Sequence, residues 1–262
     1  MAEHTGLEPF DGINYTKDMV IKNKIVIVTG ASSGIGKATA KLLAKHGAKV
    51  ALVARSKNIL SKLENEIQGS FSRPTDMTDA EAIREMIQEV LDHYGRIDIL
   101  INNAGQGYDA LIESTNIDTF KHIFDLDLVS PLVAMQQVIP IMKSQNQGLI
   151  INISSGTALM HLPGMGAYAA IKSALAHISL TAREELKDYN VDVSVIYPYI
   201  TLTDFEENTI KELPDSSEAE KNGSYVPPKA DSAEFVAKKI IDCIDNSVAE
   251  VFVHDWMKPG GQ

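Results

Sequence analysis

"KIVIVTGASSGIGKATAKLLAKHG", residues 24–47, decides the fold. It opens on a β-branched run that stops at glycine, the pattern of a short buried strand. It closes on helix formers that end at Gly47, a C-cap glycine. Between them lies "TGASSGIG", residues 29–36. A glycine-rich turn from strand into helix lets the backbone approach a pyrophosphate. The helix then offers free N–H groups and a positive dipole end to that charge. Gly30, Ser32, Ser33, Gly34, Ile35 and Gly36 are therefore the expected phosphate cradle.

Outward from this turn, strand and helix patterns alternate. Further strands are expected at 48–55, 70–75, 97–105, 148–155, 191–198 and 250–254. Helices are expected at 58–68, 79–95, 118–145, 167–189 and 232–245, with Pro131 a candidate kink in the long one. Such alternation predicts right-handed crossovers and a doubly wound α/β fold, a parallel sheet of about seven strands with helices on both faces. No composition break divides the chain. Residues 1–22 are expected to be an N-terminal extension and 23–262 a single dinucleotide-binding and catalytic domain. Residues 204–230 lack periodicity, and so long a loop in a compact domain predicts a substrate loop.

Bulk properties narrow the function classes. The 262-residue chain carries 35 acids against 24 bases, a formal charge of −11. That argues against nonspecific binding to nucleic acid or an anionic membrane. No apolar run approaches a membrane span, and the polar, acidic start lacks the pattern of a signal peptide. Cys243 is the single cysteine, so internal disulfides and cysteine metal clusters are excluded. A reducing, cytoplasmic location is expected. The histidines show no metal-ligand spacing, and no catalytic metal is expected.

The second strand ends in "VAR". In dinucleotide folds an acid near this place takes the ribose 2′-OH of NAD. Here Ala54 stands there and Arg55 follows. A carboxylate would repel a 2′-phosphate and an arginine can clamp one, which favours NADP over NAD. Farther on, "YAAIK" sets Tyr168 and Lys172 one helical turn apart. A phenol is a poor acid–base catalyst at neutral pH, and a cation at i+4 is expected to lower its pKa.

Together "TGASSGIG", "NNAG" at 102–105, a serine and "YAAIK" resemble the short-chain dehydrogenase/reductase family, over roughly residues 23–254. The resemblance implies that Asp76 and Met77 hold the adenine. It implies that "NNAG" supports sheet and cofactor through Asn102, Asn103, Ala104 and Gly105. Ser155, 13 residues before Tyr168, is implied as the substrate-oxygen donor in preference to Ser154. Tyr168 is implied as proton donor or acceptor. Lys172 is implied to bind the nicotinamide ribose, and Thr203, Pro198 and Ile200 to lie beside the carboxamide. Homodimers or homotetramers are the family habit. The activity implied is NADP(H)-dependent interconversion of a carbonyl and an alcohol on a small molecule. An NAD-linked dehydrogenase, or a non-catalytic dinucleotide sensor, remains the alternative.

Two positions depart from the family pattern. Asp127, in "LDL", stands where the family has an asparagine that completes a proton relay to the lysine. It is expected to act either as a charge that weakens the lysine's field or as a neutral donor. Tyr199 stands where glycine is common and is expected to shape the nicotinamide pocket. The loop with Leu159, Met160, Leu162 and Met165 is apolar and favours a partly hydrophobic substrate, and His161 within it is expected to be exposed.

Overall fold

The computed structural model describes residues 21–213 and 229–258. The expected alternation forms a seven-stranded sheet. In chain order it comprises β1 (Ile25–Thr29), β2 (Lys49–Ala54), β3 (Phe71–Pro74), β4 (Ile99–Asn102), β6 (Gly148–Ile153), β7 (Val191–Tyr197) and β11 (Glu250–Phe252). All are parallel, in the order β3-β2-β1-β4-β6-β7-β11. The order turns back between β1 and β4, and a crevice opens at such a switch point beyond the strand C-termini.

Alternate side chains of β1 enter two separate cores, as the period of a strand requires. Val26 and Val28 pack with Leu43 of α1 (Gly34–Lys45) and Ile240 of α7 (Ala233–Asn246). Ile25 and Ile27 pack with Met86 of α3 (Ala80–Tyr94) and Val138 of α5 (Ser130–Gln145). Helix boundaries follow local chemistry. The carboxylate of Asp79 accepts bonds from Glu81 N and Ala82 N to start α3, and Gly95, at φ 76°, ends it.

Three expectations change. The long helix at 118–145 is two helices, α4 (Ile117–Phe124) and α5, joined by a π turn at Asp125–Val129. Its widened loop is closed by Ser130 N on Asp125 O. Pro131, lacking an N–H, follows at once and cannot continue the ladder. The N-terminal extension ends earlier than expected, since Ile21 is buried in the core and Asn23 N bonds Gly47 O at 2.8 Å; residues 1–20 lie outside the described residues. The loop expected at 204–230 is ordered at its base. Ile210–Lys211 (β9) pairs with Tyr108–Asp109 (β5), and Asp231–Ser232 (β10) pairs with Thr201–Leu202 (β8). Residues 214–228 of that loop lie outside the described residues.

The other end of the sheet is locked by one carboxylate. Asp98 is 1% exposed. It accepts from Ile25 N at 2.8 Å, from the Arg96 guanidinium on both oxygens, and lies 3.5 Å from Lys24 Nζ. Replacing it orphans a buried N–H and removes charge-assisted bonds. Asp98→Ala should cost about 2–3 kcal/mol of unfolding free energy, read as a lower urea midpoint at unchanged denaturant slope.

Candidate active site

The crevice between the two halves of the sheet is a groove of about 420 Å³. Gly30, Ser32, Ser33, Gly34 and Ile35 line one wall, and Asn103, Ala104 and Gly105 the other; Arg55, Asp76, Met77 and Thr203 lie along its length. The expected set thus converges, with exceptions. Gly36 lies beneath the groove, where a Cβ would overlap Gly30 O and sit 2.5 Å from Asn103 Nδ2. It permits helix-to-strand packing. Pro198 and Ile200 are not among the groove's lining. Pro198 O accepts from Gly156 N and Ile200 O from Asp231 N, while the Ile200 side chain is exposed. Asn102 is buried and gives its amide to Asn152 across β4 and β6, so it serves the sheet rather than a ribose.

The groove fits a dinucleotide. Gly30 (φ 67°) and Gly34 (φ 51°) hold left-handed conformations that a larger residue resists. Ser33, at the start of α1, spends no side-chain oxygen on capping the helix, so the first N–H groups of α1 face the turn. Arg55 is exposed at the end of β2, and Ala54 beside it leaves no carboxylate at that strand end. Asp76 bonds Thr78 N and Oγ1 through Oδ1. Those bonds, with a smaller part from Arg55, hold its carboxyl below the usual range. Sequence reasoning missed His122, Gln106, Phe205 and Asn208, which also line the groove. They lie outside any motif, on α4 and on the segments after the motifs.

The serine, tyrosine and lysine are not among the groove's lining; its lining residues reach them, Phe205 at Tyr168 and Gln106 through Asp127 at Lys172. α6 (Gly166–Glu185) buries Tyr168 and Lys172 on one face, as i+4 spacing demands. Ser154 donates to Lys172 O at 2.9 Å and is used up structurally. Ser155 stands half-buried at the head of a 3-10 turn, its Oγ accepting from Thr157 N and Oγ1. Its hydroxyl acts on the Tyr168 phenol. Phe205 stands over the tyrosine, ring centres 6.2 Å apart.

Lys172 Nζ donates to Ile153 O at 3.1 Å and lies 3.0 Å from Asp127 Oδ2, in an ion pair that is almost wholly buried. Asp127, in the π turn, takes Gln106 N on its other oxygen at 3.0 Å. Both partners are donors, which suits an ionised carboxylate, while Oδ2 is buried and makes no hydrogen bond of its own. Burial opposes this and raises the Asp127 pKa, while Lys172 and Gln106 pull it down. Gly105 makes room for the carboxylate, since a Cβ there would meet Asp127 Oδ2 at 2.8 Å.

The expected lowering of the Tyr168 pKa is reversed. Burial first, and then the charge of Asp127, push the phenol well above its ordinary value; Ser155 pulls it down and Asp109 adds a smaller rise. The ammonium that was to stabilise the phenolate is offset by a carboxylate 3.0 Å from it.

Tyr199 turns away from the groove. Its ring meets Trp256 edge-on at 5.0 Å and His254 at 6.0 Å. The apolar loop forms a shallow hollow with Met160, His161, Leu162 and Pro163 on the outer side of α6, and His161 is exposed there. Among the described residues, no cluster of three or more His, Cys, Asp or Glu could hold a metal ion, and no helix is long and apolar enough to cross a membrane.

The sequence matches the profile described as short chain dehydrogenase over residues 24–214. It is 30% identical over 249 residues to dehydrogenase/reductase SDR family member 7B of Rattus norvegicus, covering 90% of this chain and 75% of that one. It is 35% identical over 184 residues to the 3-oxoacyl-[acyl-carrier-protein] reductase FabG of Thermotoga maritima, covering 69% and 75%. The fold is shared with a 3-ketoacyl-(acyl-carrier-protein) reductase of Brucella melitensis solved with NADH, at TM-score 0.80 and 22% identity over 89% of this chain and 97% of that one. A short-chain dehydrogenase of Streptomyces avermitilis superimposes at TM-score 0.79 and 26% identity, over 88% of each chain. With a dinucleotide groove at the switch point, the chain belongs to the short-chain dehydrogenase/reductase family, oxidoreductases that act on CH–OH groups with a nicotinamide dinucleotide.

Proposed function

We propose that this protein interconverts a carbonyl and a secondary alcohol with NADP(H), Tyr168 being the general acid and base. The observation that carries the reading is Ser155 acting on the Tyr168 phenol, against whose ring stands Phe205, a residue of the groove's lining. Residues 30–35 would hold the pyrophosphate, Asp76 and Met77 the adenine, and Arg55 the 2′-phosphate. Asn103 to Gly105 and Lys172 would hold the nicotinamide ribose, and Thr203 the carboxamide. When bound, the nicotinamide supplies or takes the hydride. The Ser155 hydroxyl donates to the substrate oxygen and stabilises charge developing there. Tyr168 passes its proton to the same oxygen. Asp127 positions Lys172 and sets the field at the phenol.

The substrate is a small, partly hydrophobic molecule. Ile112 and Leu213, both exposed, border the loop before Tyr168, where Cβ atoms on Gly166 and Gly164 would touch them. Residues 204–230 form the substrate loop in this reading. A homodimer or homotetramer follows the habit of the family. The outer face of α6 carries Ala170, Ser173 and His177, exposed beside the apolar hollow. The protein works in the cytoplasm, in line with one buried thiol and a net charge of −11.

Two predictions test this reading. NADPH should bind at least about tenfold tighter than NADH, near 1.4 kcal/mol, and Arg55→Ala should remove most of that gap while leaving NADH affinity nearly unchanged. Titration of cofactor fluorescence measures both, and equal affinities in the parent protein would reject NADP. Tyr168→Phe should keep cofactor binding and lose roughly 10²–10⁴ in turnover.

The other prediction uses the charge on Asp127. Its carboxylate raises the phenol pKa, so removing that charge lowers it. Alcohol oxidation needs the phenolate, so Asp127→Asn should move the alkaline limb of kcat to lower pH. A pH–rate profile reads the shift; a limb that stays put or rises shows that Asp127 does not act on Tyr168.

A further inference from the structure

We propose that Phe205 is the specificity-determining residue of the site. Its ring covers Tyr168 on the side of the groove and limits the substrate to carbonyls that are unbranched at the carbon next to the C=O. The proposal rests on the carbonyl–alcohol reading of the same site.

Tyr168 is 7% exposed and is not among the groove's lining, yet in the proposed reaction its hydroxyl must meet a substrate oxygen. Most of its neighbours are fixed. Tyr108, Ile123, Ile171 and Leu175 share its cluster, and all four are buried. In a close-packed core one side chain moves only if others move with it. Lys172, whose ammonium lies 5.8 Å from the centre of the tyrosine ring, is held by Asp127 and Ile153 O. Phe205 differs. It is 40% exposed and lines the groove, and its ring centre lies 6.2 Å from that of Tyr168 with the planes at 52°. The way from the groove to the phenol passes this ring.

The backbone that carries the ring is tied down. Phe205 N donates to Thr203 Oγ1 at 3.2 Å, and Phe205 O accepts from Thr209 Oγ1 at 2.9 Å. Asn208 O accepts from Gln106 Nε2 at 2.7 Å, and Ile210 N bonds Gly107 O at 3.0 Å. These bonds dock the segment onto the residues that follow "NNAG". Gly107 is the seat of the ring. A Cβ there would lie 2.3 Å from Thr209 Oγ1 and 3.0 Å from Phe205 Cε1, so the absence of a side chain at 107 lets Phe205 lie where it does. A wall held in this way discriminates by size. One added methyl-sized group in an apolar pocket shifts kcat/KM by about 10–200-fold. A branched carbon beside the C=O brings such a group against Phe205, and an unbranched one does not.

The test compares diethyl ketone with diisopropyl ketone. Both are symmetric, so the arm that faces residue 205 is unbranched in the first and branched in the second, whichever way the ketone enters. With NADPH, the ratio of kcat/KM for diethyl over diisopropyl ketone should fall at least about tenfold from the parent protein to Phe205→Ala, with Phe205→Leu between them. Comparing ratios removes the difference in reactivity between the two ketones. Hydroxyl-radical footprinting reads the cover without turnover. Oxidation of Tyr168, measured on its peptide against the exposed Tyr189, should rise several-fold in Phe205→Ala. A lower ratio with a more oxidised Tyr168 upholds the proposal. Reduction of both ketones at a ratio that Phe205→Ala leaves unchanged overturns it and leaves the carbonyl–alcohol reading standing. Unchanged oxidation of Tyr168 in Phe205→Ala overturns it whatever the rates. A more oxidised Tyr168 with neither ketone reduced by any of the proteins upholds the cover and sinks the carbonyl–alcohol reading.

Discussion

The hydroxyl of Thr29, buried at the end of β1, accepts the backbone N–H groups of Asn103 and Ala104, each at 3.0 Å. The Asn103 amide returns a bond to Thr29 O, also at 3.0 Å. This exchange fixes the ends of β1 and β4 at the point where strand order reverses, and the groove has its walls at those two ends. It also sets how close α1 can come, for Gly36 packs against Gly30 O and the Asn103 amide with no room for a methyl group. The glycine-rich turn is therefore constrained twice. Its first glycines take left-handed conformations, and its last lets a helix lie on a carbonyl.

From that anchor, "NNAG" carries the chain to Gly105, and Gly105 admits the Asp127 carboxylate. A helix of regular pitch would rotate the side chains after Phe124 differently. The π turn inserts extra backbone at the position that delivers Asp127 to Lys172. Such bulges cost hydrogen-bond quality and recur at functional positions. The ion pair it supports is no evident source of stability, since the desolvation of two charges offsets much of their attraction. Its consequence is local. It holds the ammonium between Asp127 and Ile153 O and reduces the positive field that Tyr168 feels.

The parts of this arrangement legible in the sequence were those with a short period or a fixed turn chemistry. β1, α1 and the cradle follow from alternation and glycine positions, and α3 follows from Asp79 and Gly95 at its ends. Both hidden features depend on tertiary contacts. The π turn in "DLDLV" carries a helical pattern throughout, and Pro131 marks only its far side. The phenol shift was misread because i+4 spacing brings the lysine near but says nothing of the carboxylate that meets it from another helix. His122 and Phe205 were invisible for a related reason, as neither sits in a motif and only the fold turns them to the groove.

The same charges bear on the acid–base role proposed for Tyr168. Tyr168 is buried, and its pKa is raised by Asp127 and further by Asp109. A phenol so placed keeps its proton through neutral pH. In the proposed reaction it would protonate an alkoxide, a base far stronger than phenolate, and that step would run downhill even from a phenol with a raised pKa. The reverse step starts from phenolate, which the same field makes scarce. A lysine acting alone would serve both directions by stabilising phenolate. Paired with Asp127, it offsets less of the cost of a phenolate, so in the proposed reaction the pH dependence of alcohol oxidation would sit higher than with an uncharged residue at 127.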